Sequence, residues 1–322
     1  MPASDRTRRR FLQALAGAAV GVPLARRVSA QAPPPARAGE LPFTQLTESL
    51  LAIRTGGANS VVLIGPSGLL QVNGGLVRSG LPPWDPSQPD VSIGFGPGAP
   101  RRIEYLFNTD WHPENTGFNV AIAEGGGQII AHEFTKQYLA IDRYVDWQNA
   151  KHKALPAKAL PTKTFVKPGS MNFGGETIDY APLGQAHTDG DIYVFFRKAN
   201  VLVVGDVMTV GTYPIADYTS GGWLGGLQTA TKTLLDLANA ETRIVPGIGP
   251  VQTRADLQAQ HDMLSAAREA FVKMMRQGMS ADEMLASGVM KKFDARWGDP
   301  QLFVRTSYRG LWLHVRELGG IV

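Results

Sequence analysis

The sequence predicts an α/β fold of the α+β type, with helices covering sheet faces. Three observations support it. Ser49–Arg54, Ser60–Ile64 and Gly68–Val72 are apolar runs broken by Thr55-Gly56-Gly57 and Gly65-Pro66-Ser67, the pattern of an antiparallel meander. Beyond Tyr105, strand-like runs alternate with segments of helical spacing. Several of those strands end on His or Asp, which brings metal-ligating groups to strand ends, where side chains converge.

In chain order, residues 1–30 carry a targeting signal. Arg8-Arg9-Arg10 is a twin-arginine n-region, Gln13–Val22 is a short apolar stretch, and Val28-Ser29-Ala30 suits cleavage. The apolar run is shorter than the ~20 residues of a membrane span, so no stable membrane anchor is expected. The expected partner is the twin-arginine export machinery, and the expected location is the periplasm or the medium. The signal also holds six of the 32 basic side chains and one of the 28 acidic ones, leaving 26 and 27. A mature chain so balanced gives no reason to expect nucleic acid as a partner. The absence of cysteine excludes disulfides and thiolate sites, so any metal is held by nitrogen and oxygen.

Residues 31–45, with Pro33-Pro34-Pro35, read as an extended linker, and 46–322 as one domain. The meander ends at Asn73-Gly74-Gly75. A stretch rich in Gly and Pro follows to Pro100, with Trp84 in its midst; it reads either as one wall of a cleft or as a solvated insertion. Tyr105-Leu106-Phe107 is a short strand, 116–123 a helix and 128–131 a strand ending on His132-Glu133. Thr177–Tyr180, Ile192–Phe196 and Val201–Asp206 are further strands, and Arg243-Ile244-Val245 is the last. Helices are expected over 224–238, over 253–277 with Leu257, Leu264, Phe271 and Met274 on one face, after Ser280 with its capping box, and over 302–318. His132, His152, His261 and His314 are expected in structural or packing roles, and Asp217 in ordering its loop.

The chemistry-bearing stretches are Asn108-Thr109-Asp110-Trp111-His112-Pro113-Glu114-Asn115 and Gly184-Gln185-Ala186-His187-Thr188-Asp189-Gly190-Asp191, followed by Gly205-Asp206 and Pro246-Gly247-Ile248-Gly249-Pro250. In order and spacing they resemble the motifs of the metallo-β-lactamase superfamily of metal-dependent hydrolases. That resemblance implies a four-layer αβ/βα sandwich and a metal site at one end of its sheets. It assigns Asp110, His112 and His187 as ligands of a first metal, with a place left for water. At the second metal position Glu114, Asn115 and Ile248 stand where the family uses other ligands, and only Asp206 is unchanged. One metal ion is therefore expected, zinc first and iron as the alternative, with a second weak or absent.

The expected activity is a secreted hydrolase that uses metal-bound water on an ester, lactone, β-lactam or related carbonyl bond of a small molecule. Glu114 or Asp206 would act as proton acceptor, and Trp84, Trp111, Tyr213, Tyr218 and Trp223 are candidates to line the substrate pocket, although the aromatics of 213–223 read equally as core residues of a long turn. The rival reading is a metal-poor binding protein on the same fold.

Overall fold

In a computed structural model, the described residues are 43–55, 58–75 and 102–319. The expected signal segment, most of the linker and Trp84 lie outside them. The expected linker reaches residue 45, and its last three residues, Phe43–Gln45, form β1, paired antiparallel with Leu50–Thr55 (β2). Ala58–Ile64 (β3) and Leu69–Val72 (β4) complete the meander. Ile103–Phe107 (β5), Gln128–His132 (β6) and Lys163–Phe165 (β9) then add in parallel, giving the sheet order β1-β2-β3-β4-β5-β6-β9. Arg143–Val145 (β7) and Ala150–His152 (β8) form a separate hairpin. A second sheet is built from Gly169–Phe173 (β10), Glu176–Gly184 (β11), Asp191–Phe196 (β12), Val201–Thr209 (β13) and Arg243–Ile248 (β14), in that order, with β13 and β14 parallel.

Side-chain alternation shows why the two sheets stack. Along β12, Ile192, Val194 and Phe196 join Leu50, Val61, Leu63, Leu70 and Phe107 in a core between the sheets, whereas Tyr193 and Phe195 point the other way. The outer face of the first sheet, with Leu51, Ile53, Val62 and Leu106, is covered by Ile122 of the short helix Asn119–Glu124, which follows Pro113–Thr116, and by Phe118 at the start of that helix. The outer face of the second sheet packs on a larger helical layer: Leu224–Leu237, Arg254–Arg276, Ala281–Ala286, Lys291–Trp297 and Gln301–Leu313. Labelled α1 to α8 in chain order, with Glu133–Leu139 as α3, these helices flank the sheets in the order helix, sheet, sheet, helix. The expected four-layer sandwich is present. The long helix over 254–276 is α5, and its start is fixed by a capping box of Thr253 and Asp256.

One predicted helix divides. The segment expected as a single helix over 116–123 is two, because Pro113 opens α1 at its first position, where a missing N–H costs nothing, and the chain turns again at Gly117 and Phe118 before α2.

Candidate metal centre

The site forms where β5, β11, β13 and β14 end. After Phe107, the loop 108–112 is held from two sides by amide side chains. Asn73, in the left-handed conformation at φ 62°, accepts from the backbone N–H and hydroxyl of Thr109. Asn108 and Asn119 exchange hydrogen bonds through their amides, and Asn108 also donates to the Asn115 carbonyl. The next turn is therefore fixed before any ligand is reached. Asp110 then accepts from the backbone N–H of His112 at 2.8 Å, which turns both side chains the same way.

Asp110, His112 and His187 are buried and each offers one donor atom within 4.8 Å of the others. His112 Nδ1 lies 3.3 Å from Asp110 Oδ1 and 3.1 Å from His187 Nε2. His187 arrives from the β11 end. The carboxylate of Asp191 accepts from the N–H groups of His187 and Thr188 and from the Thr188 hydroxyl, which closes the turn between them. Among the described residues this is the one group of three such side chains that could hold a metal.

The donor set fits a divalent cation. Tetrahedral ligand atoms about 2.0–2.1 Å from zinc stand about 3.3 Å apart, and the observed 3.1 and 3.3 Å separations lie at that spacing. Each imidazole turns its outer nitrogen to an acceptor: His187 Nδ1 donates to the Ile215 carbonyl at 2.7 Å, and His112 Nε2 stands 3.3 Å from Asp217 Oδ2. The local charge also asks for a cation, because the fields of Asp110, Glu114, Asp191, Asp206 and Asp217 converge on two imidazoles. Burial alone disfavours a charged ring at His112, yet Asp110 and Asp217 hold its pKa well above the usual histidine range. Burial likewise works against an ionised Asp217, but His112 and the Ser220 and Thr219 donors hold it well below the carboxylate range. Asp206 is pushed up to about 7 by burial and by the charge of Asp110.

Asp206 does not join the three donors directly. The Asn115 amide stands between, donating to Asp110 Oδ2 at 2.7 Å and to Asp206 Oδ2 at 2.9 Å. One side-chain nitrogen thus links the two carboxylates. Asp206 is set in place by two glycines. Gly205 adopts φ +55° against Thr109, where a Cβ would fall 2.4 Å from the hydroxyl, and a Cβ on Gly247 would fall 1.9 Å from Asp206 Oδ1. Ile248, at the end of β14, is 38 % exposed. Glu114 is half-buried in α1 and outside the close donor group.

The aromatic candidates divide. Trp111 is buried, stacks on His112 at 4.3 Å and donates to Ser220, so it backs a ligand and does not present a face to substrate. Tyr213 also leaves the predicted substrate surface. It is buried in the helical layer, stacked on Phe303 at 4.9 Å with its hydroxyl on Asp294, because the apolar face of α8 reaches it first. Trp223 stacks on His314 of the same layer at 4.3 Å, which is again packing. Tyr218 is half-buried and donates to Asp146, so it ties the loop after Asp217 to the segment after β7. That segment also supplies Trp147, unnoticed in the sequence, whose indole N–H donates to Asp217 at 3.0 Å and whose ring lies 6.1 Å from His112. His132 caps α3 by accepting from Phe134 N–H, and His152 packs edge-on to Trp111 at 5.2 Å.

Comparison with known proteins agrees with this geometry. Residues 97–249 match the family described as the metallo-beta-lactamase superfamily. Among solved structures, a metallo-beta-lactamase from Pontibacter korlensis is 17% identical with a TM-score of 0.54, over 70% of this chain and 99% of that one. The DIM-1 metallo-beta-lactamase is 15% identical with a TM-score of 0.52, over 71% and 98%. A stereoselective inverting sec-alkylsulfatase from Pseudomonas sp. is 13% identical with a TM-score of 0.62, over 84% of this chain and half of that one. At such identities the likeness shows the fold. No curated protein matches the chain.

Proposed function

We propose that this chain, whose residues 97–249 match the metallo-β-lactamase superfamily of metal-dependent hydrolases, is an exported hydrolase of that superfamily holding one divalent metal, zinc in the first instance, at Asp110, His112 and His187. The observation that carries this reading is the convergence of three buried donors within 4.8 Å of one another, with two of the separations at the spacing of a metal's coordination shell and both imidazoles turned outward to acceptors. When bound, such a metal supplies Lewis acidity for attack of water on a polarised carbonyl or related group.

The remaining groups act around that centre. Asn115 donates to the facing carboxylates of Asp110 and Asp206, an arrangement that supports a single-ion site. Asp206 Oδ1 is buried without a hydrogen-bond partner, which leaves one carboxylate oxygen free to take a proton during turnover. Substrates proposed are small esters, lactones and β-lactams. Sulfate esters join them because the alkylsulfatase fold overlays a larger share of this chain than the lactamase folds do. Export through the twin-arginine machinery to the periplasm or medium follows from residues 1–30.

The test is zinc-reconstituted protein, checked by elemental analysis, against a panel of chromogenic esters, lactones, β-lactams and alkyl sulfates. Turnover that disappears in His187→Ala supports the hydrolase. A metal-loaded protein inert across the panel would favour the binding-protein reading.

A further inference from the structure

An imidazole that lends one nitrogen to a cation keeps its proton on the other, and that N–H needs a fixed acceptor to hold the ring. At His112 the inner nitrogen is Nδ1, which faces Asp110 and His187. The outer one, Nε2, is buried and forms no aligned hydrogen bond; its polar neighbour is Asp217 Oδ2 at 3.3 Å. At His187 the roles are reversed. Nε2 is inner, and Nδ1 donates to the Ile215 carbonyl. The backbone N–H of Asp217 also donates to the His187 carbonyl at 2.7 Å. Ile215 and Asp217, with a single residue between them, therefore hold the two rings, one through a backbone carbonyl and the other through a carboxylate.

Asp217 is itself held more firmly than a loop cap requires. Its Oδ1 accepts from the Thr219 N–H and hydroxyl, as a cap would, but also from the Trp147 indole at 3.0 Å, from a different part of the chain. Its Oδ2 accepts from the Ser220 hydroxyl at 2.6 Å, and the same hydroxyl receives the Trp111 indole N–H. Because Trp111 stacks on His112, the carboxylate and the ring it faces are tied to one framework.

We propose that Asp217 is a positioning residue of the metal centre, which fixes His112 with Nε2 protonated and Nδ1 presented to the cation. This inference rests on the metal reading above and extends it to a residue more than a hundred positions away from His112 in sequence.

The experiment measures zinc affinity by chelator competition in the parent, Asp217→Asn and Thr219→Ala, together with the thermal stability of each metal-free protein. Asn keeps the size of Asp217 but presents an amide that can donate to Nε2 and favour the wrong tautomer. Zinc affinity should fall about 10- to 100-fold in Asp217→Asn and stay within about threefold in Thr219→Ala, which loses only a capping hydroxyl. Parent-like affinity in a folded Asp217→Asn protein overturns the proposal while leaving the metal reading intact. An equal loss in Thr219→Ala overturns it too, since loop order alone would then suffice. A parent that binds no zinc defeats the metal reading and this proposal with it. Should Asp217→Asn not fold, imidazole 15N spectra of the zinc-loaded parent decide: a proton on His112 Nε2 supports the proposal, and one on Nδ1 overturns it.

Discussion

At the scale of single residues, the distinctive feature is Asn115. Its amide N–H groups link the buried carboxylates of Asp110 and Asp206. Removing them leaves two buried carboxylates facing one another, and Asn115→Ala should destabilise the metal-free protein by about 1–3 kcal/mol, read as a lower midpoint in denaturant. The reverse change adds ligands. Asn115→His with Ile248→His places two imidazoles near Asp206, and the folded double variant should bind a second zinc that the parent does not, as titration calorimetry would show. Unchanged stoichiometry would mean that the backbone at 115 and 248 no longer points inward. His112 and His187 were readable as candidate ligands because each sits in a short motif whose order and spacing resemble those of a known family, and the fold brings them together. Asp217, Trp147 and the bridging role of Asn115 were not, since each depends on contacts between distant segments. Whether Tyr213 and Trp223 face a cleft or the core was open in the sequence, because an aromatic after such a strand looks the same whether it faces a cleft or a helix; in the fold both pack in the helical layer.

At the scale of elements, the site depends on how closely two parallel strands approach. β13 carries Asp206 and β14 carries Gly247, and the carboxylate lies over the place a Cβ would occupy. Gly247→Ala should therefore displace Asp206 or the strand, with a loss of about 1–3 kcal/mol and weakened metal binding in the same variant. Thr253→Ala supplies the contrast. It removes the cap of α5, whose hydrogen bonds involve none of the three donors, and should cost about 1 kcal/mol with zinc affinity unchanged. The strands and long helices of the sandwich were legible from period-two and helical spacing. The hairpin β7–β8, the three-residue β9 and α3 were not, because runs of three to seven residues carry too little periodicity to separate from loop.

At the scale of the whole molecule, the two sheets bring to one end ligands that lie on either side of the core between them. Asp110 and His112 follow a strand of the first sheet, His187 follows one of the second, and a cation shared among them would link both halves. Binding of this kind adds to global stability by mass action, about 2.7 kcal/mol when free metal is at one hundred times its dissociation constant. Zinc should therefore raise the melting temperature of the parent and a chelator should lower it again, while His187→Ala should show neither change. The measurement that tests the central claim most directly is the zinc content of the folded parent beside that of His187→Ala. One ion per chain in the parent and none in the variant is the result expected from three ligands and an asparagine bridge. No tightly held metal in the parent, or two, would contradict it.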